Sequence, residues 1–198
     1  MSQPSMEQVK DLRQRTGAGV MDCKAALAEA CNDVEKAIEV LRKKGIAKAA
    51  KKAERATSSG VVDAYIHPGE RLGVLVEVDV ETDFVARNQE FRRFVRDVAL
   101  HIAATDPLAI ERDGVSQDVV DREKRIYEEQ VAQSGKPANV IEKIVQGKLE
   151  KFFADVCLME QPFVKTPDKT VGDYLKEHVA KFGENIRIKR FSRFKVGE

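Results

Sequence analysis

Apolar residues in the first forty positions recur every three or four places, the step that puts side chains on one face of an α-helix. Met6, Val9 and Leu12 form one such stripe. Thr16-Gly17-Ala18-Gly19 interrupts it, since two glycines open backbone angles closed to other residues. A second helix is predicted from about Met21 to Cys31, with Leu27 and several alanines facing inward, and Asn32-Asp33 then supplies a turn and a helix cap. Val34, Ala37, Ile38 and Leu41 carry a third amphipathic helix, which Gly45 is expected to end. Three helices of this length make a compact module with a small core, because a chain below ~50 residues buries little surface.

The pattern changes at Ile46. IAKAAKKAERATS is rich in good helix formers but has too few large apolar residues to bury a face, so 46–59 is expected to be a solvated linker helix. Seven basic residues from Arg42 to Arg55, against the single acid Glu54, make this the one clearly basic segment. Beyond Gly60 the period shortens. VVDAYIH and LGVLVEVDV read as a hairpin joined by His67-Pro68-Gly69-Glu70-Arg71.

A helix is predicted from about Val85 to Ala104, with Phe91, Phe94, Val95, Val98 and Ile102 on one face, ending before Asp106-Pro107. Two more fit Asp118 to Gln133 and Pro137 to Val156, parted by Ser134-Gly135-Lys136. Gln161-Pro162-Phe163-Val164 reads as a loop, Val171 to Phe182 as the last helix, and Ile186 to Phe191 as a strand. The expected fold is α+β: a three-helix bundle (1–45), the linker helix (46–59), and a core (60–198) in which helices pack on a three-stranded antiparallel sheet.

Composition narrows the function classes. Of the 198 residues 42% are hydrophobic and 34% charged, but 34 basic side chains nearly cancel 33 acidic ones, so the chain offers nucleic acid or an anionic membrane no overall basic field. Cys23, Cys31 and Cys157 form no CxxC pair, and an odd number cannot pair completely, which favours a reducing cytosol. MSQPSMEQVK lacks a signal peptide's apolar run, and no window approaches the ~18 apolar residues of a membrane span. A cytoplasmic protein is expected.

Catalytic signatures are missing: there is no GxSxG, HExxH or GxGxxG. Gly135-Lys136 resembles the end of a phosphate loop, but Pro137 stands where Ser or Thr should hold magnesium and Gln130 where the first glycine belongs. His67, His101 and His178 are far apart in sequence, each more simply a surface or packed side chain than a ligand. The basic linker is more simply solvated than bound to phosphates. The N-terminal module is either a packing unit or a protein-binding bundle similar to ubiquitin-associated domains.

The most informative segment is Glu81-Thr82-Asp83-Phe84-Val85-Ala86-Arg87-Asn88, where a strand gives way to a helix. Thr82 or Asp83 can cap that helix. Phe84 is then either tucked inward or exposed as a wedge beside a carboxylate, suited to a partner's metal-phosphate site.

These residues carry a family resemblance. LRQRTGAGVMDCKAAL, GIAKAAKKAERATSSG, ETDFVARN, EQPFVK and FGENIRIKRF resemble bacterial elongation factor Ts from end to end. The resemblance implies a guanine-nucleotide exchange factor that binds elongation factor Tu and speeds GDP release, with no cofactor of its own. It implies docking through Arg13, Val20, Met21 and Lys24, where Val20 replaces the methionine common in the family. The intruding tip maps to Asp83 and Phe84, flanked by Thr82 and Val85, and further contacts map to His67, Gly183 and Phe182, the last standing where other members carry an aliphatic residue.

By resemblance to short family members, two chains pair as a homodimer. Ser192 excludes an interchain disulfide at that position. Two other classes compete: an RNA or ribosome adaptor using the linker with Arg87, Arg92, Arg93 and Arg96, and a small-molecule enzyme, which would turn over without any GTPase.

Overall fold

The computed structural model describes residues 3–132 and 137–198. Three helices, α1 (Met6–Thr16), α2 (Val20–Glu29) and α3 (Val34–Ala50), open the chain. They are followed by strands β1 (Ser59–Ile66) and β2 (Leu72–Val80), then helices α4 (Asp83–Ala86), α5 (Gln89–Thr105), α6 (Gln117–Ala132) and α7 (Ala138–Val156). Strands β3 (Pro162–Phe163) and β4 (Thr166–Thr170), helix α8 (Val171–Phe182) and strand β5 (Ile186–Lys195) complete it. The order β1-β2-β5 makes the expected three-stranded antiparallel sheet, so the fold is α+β. The segment 133–136, including Ser134-Gly135-Lys136, lies outside the described residues.

By compactness the chain forms two units. One comprises the described residues up to Val62 with Glu77–Val95 and Asp173–Arg187. Within it α1 is closed at both ends: Ser5 and Gln8 form a reciprocal capping box, and Gly17 adopts a left-handed φ of 67° as its N–H bonds back to Arg13. Val9, Leu12, Cys23, Ala26, Leu27, Ala30 and Ala37 make the bundle core. Met6, expected on the buried stripe, is exposed because it is the first helical residue and overhangs that core.

Gly45 does not end α3. The helix runs through it to Ala50, and turns follow from Lys51. A β-carbon at Gly45 would sit 3.3 Å from the Cβ of Ala180 in α8, so glycine here serves close helix approach. The predicted helix from Val85 to Ala104 is two helices, because Asn88 breaks it. Its side-chain oxygen accepts the N–H of Glu90 at 2.8 Å, and a cap of that kind competes with continuing the helix. Phe91, Phe94 and Val95 are buried as the spacing predicts. Phe94 stacks on His178 with 4.5 Å between ring centroids.

The other unit comprises Asp63–Val76, Arg96–Gly172 and Ile188–Glu198. The loop expected at Gln161–Val164 is in part a strand, β3, which pairs antiparallel with β4 through Pro162–Thr170 and Phe163–Thr166. Arg112 bonds to both Glu150 and Glu160, at 2.7 and 2.5 Å, and lies over the Phe153 ring.

His101 is fully buried on α5. The N–H of Val164 donates to its Nδ1 at 3.2 Å, so its proton sits on Nε2 and is donated to Oε1 of Gln161 at 2.9 Å. Gln161 also accepts from the Thr105 hydroxyl and donates to the carbonyl of Asp155. Burial pushes His101 below the ordinary histidine pKa, against a smaller upward pull from Gln161. Protonation would set a second N–H against that of Val164.

Since the folded pKa is depressed, the stability tied to the neutral ring is fully present above the unfolded pKa and declines as pH falls below it. Half-buried His178, also lowered by burial, acts in the same direction. The melting temperature should therefore drop between about pH 7.5 and about pH 5.5. His101→Asn should flatten that dependence, and an unchanged slope would remove His101 as its source.

Candidate functional site

Thr82 has an extended backbone and its hydroxyl accepts from the N–H of Val85, so of the two expected candidates it is Thr82 that caps α4. α4 is only four residues long, and Val85 and Ala86 anchor it by being buried. Phe84 points the other way and is 80% exposed. Asp83 lies beside it, ion-paired with Arg87 at 2.8 Å, both side chains being largely in solvent. Such a pair contributes little to stability, ~0–1 kcal/mol, but it offsets the charge of Asp83. The tip therefore presents an apolar ring beside a partly compensated carboxylate. A ring of this size left in water can bury a large apolar area against a partner, since aromatic side chains dominate interface energetics.

The structure places the remaining sequence-predicted residues as follows. Arg13, Val20, Met21 and Lys24 are exposed at the α1–α2 corner, Met21 by 76%. Cys23 and Leu27, which share α2 with them, face the bundle core. His67 is exposed in the β1–β2 turn, with the Tyr65 hydroxyl 3.1 Å from its Nδ1. Phe182 is half-buried, its ring edge-on to Phe91 at 6.1 Å. Gly183 is exposed just beyond α8, and its carbonyl accepts from Nζ of Lys52 at 2.6 Å. Val85 faces inward, so it holds the tip and leaves outward contact to Phe84.

Sequence reading missed two participants, Glu184 and Asn185. Glu184 grips Thr82, and Asn185 binds Glu81, across about a hundred residues of chain. No local spacing signals such a pairing. Among the described residues, no group of three or more His, Cys, Asp or Glu is arranged to hold a metal. No helix there is long and apolar enough to cross a membrane.

A family model described as Elongation factor TS matches residues 3–198. The elongation factor Ts of Carboxydothermus hydrogenoformans is 59% identical over 192 residues, covering 97% of this chain and 88% of that protein. That of Acetivibrio thermocellus is 57% identical, covering 97% and 89%, and that of Desulfosudis oleivorans 55% identical, covering 96% of each. These matches identify a translation elongation factor. The chain belongs to the elongation factor Ts family.

Proposed function

We propose that the protein is a guanine-nucleotide exchange factor that binds elongation factor Tu in the cytoplasm and promotes GDP release, without covalent chemistry or a cofactor of its own. The observation that carries this reading is Phe84, an aromatic side chain 80% exposed on a capped and anchored turn. The 1–45 module supplies affinity through Arg13, Val20, Met21 and Lys24, and the 60–198 part supplies the exchange step. A ligand shifts an equilibrium only by binding one state better than another. The factor must prefer the nucleotide-free GTPase, and GDP must then weaken factor binding by the ratio in which the factor weakens GDP binding.

At the tip, Phe84 wedges between helices flanking the partner's magnesium site, and Asp83 perturbs the magnesium shell. The wedge is the larger effect, because Asp83 is already paired with Arg87 and screened by water. His67, Gly183 and Phe182 extend the contact. Neither nucleic acid nor a membrane is required. Fluorescent GDP release from elongation factor Tu, with and without this protein, tests the proposal. An unaltered release rate at saturating factor would reject it.

The working form is a homodimer. Ile66, Leu75, Phe194 and Val196 are exposed along one open groove of ≈ 480 Å³, also lined by Ala64 and Gly73. Leu75 faces away from its buried neighbours Val74 and Val76, so the groove lies on the side of the strand opposite the core. A second copy covers this apolar surface.

A further inference from the structure

We propose that Glu184 is a positioning residue for exchange: its carboxylate sets the orientation of the tip that carries Phe84, an inference that rests on the tip reading above. The end of β2 and the segment leading into β5 are joined by a reciprocal clasp. The backbone N–H of Thr82 donates to Oε2 of Glu184 at 3.0 Å and the Thr82 hydroxyl to Oε1 at 2.7 Å. In return the N–H of Asn185 donates to Oε1 of Glu81 at 2.6 Å. Asn185 is buried, and its Nδ2 donates to the carbonyls of Ala53 and Arg55 at 3.2 and 2.8 Å. Arg55 closes the ring with Nη1 3.6 Å from Glu81.

The Thr82 hydroxyl has a single proton. Committing it to Glu184 fixes the hydroxyl rotor, which turns the oxygen's lone pairs to the N–H of Val85 at 3.5 Å, one of the donors at the start of α4 that no helical carbonyl reaches. A four-residue helix cannot hold its own direction by internal bonds. Phe84 lies two residues beyond Thr82, so its direction follows the backbone angles that Glu184 fixes at Thr82. Bonds to an ionised carboxylate are roughly twice as strong as neutral ones, which suits this one side chain to the task. Beneath the tip, Val85 and Ala86 are buried, an anchor made by apolar packing and not by the carboxylate. Removing the carboxylate therefore loosens the tip without unfolding the domain, and the loss falls on the exchange step and not on docking.

The test measures release of fluorescent GDP from elongation factor Tu against factor concentration. Glu184→Ala should lower the maximal stimulated rate roughly tenfold, with the half-saturating concentration unchanged. Glu184→Gln keeps one acceptor oxygen and should lose only about threefold. Combined with Phe84→Ala, Glu184→Ala should add no further loss, because both act through one ring. A parental maximal rate for Glu184→Ala, losses that multiply in the double variant, or a raised half-saturating concentration at unchanged maximal rate would each overturn the inference.

Should Glu184→Ala not fold, Glu184→Gln carries the same test, and a parental rate overturns the inference there too. If Phe84→Ala alone exchanges at the parental rate, the tip reading itself fails and this inference falls with it. A loss with Phe84→Ala but none with Glu184→Ala removes the inference alone.

Discussion

Phe84→Ala should slow stimulated GDP release by roughly thirtyfold or more, the loss that accompanies truncation of an aromatic anchor worth ~2 kcal/mol at a protein interface. The fold should barely register the change. A side chain 80% exposed has few neighbours to lose, and surface substitutions are usually within ~0.5 kcal/mol. Phe94→Ala is the control. That ring is fully buried against His178 and Tyr174, and cutting it to alanine should cost ~3–5 kcal/mol of stability. Asp83→Asn belongs beside these two, since it removes charge at nearly constant size. If the wedge dominates, Asp83→Asn retains most of the stimulated rate. A Phe84→Ala protein that melts normally and exchanges at the parental rate would end the wedge mechanism.

Long periodic segments were legible in the sequence, and short or cooperative ones were not. α8 begins and ends at the residues its pattern indicates, because a full apolar stripe runs from Val171 to Val179 and Gly183 follows. Gly45 misled, since glycine weakens a helix in isolation but also permits a close approach, and only the three-dimensional neighbour Ala180 distinguishes the two. Asn88 is a cap hidden inside an otherwise helical pattern. β3 has two residues, too few to display any alternation. At the site, the ring, its carboxylate and two cap candidates were visible in ETDFVARN, whereas whether Phe84 points outward was an open choice on spacing alone. Glu184 lies 102 residues from Thr82, so its part depends on strand pairing that sequence spacing does not encode.

Phe194→Asp should convert the protein from a particle of about twice 22.1 kDa to one of single chain mass in light scattering. Phe194 is 70% exposed at the end of β5 and lines the same groove as Ile66 and Leu75. In a two-fold pair each substitution occurs twice. Two carboxylates would therefore enter one apolar contact, and burying even one unpaired charge costs several kcal/mol. Arg193 offers little rescue, because it is already engaged by Asp106 and Glu198. Reducing agent should leave the parental dimer intact, as position 192 is serine and no disulfide can form there. Exchange separates two roles for pairing. If the second copy completes the partner-binding surface, the monomeric variant loses stimulated GDP release even though its tip is untouched. Full exchange by a stable monomer would show that pairing serves only to cover the apolar groove, and an unchanged particle mass for Phe194→Asp would place the dimer contact elsewhere.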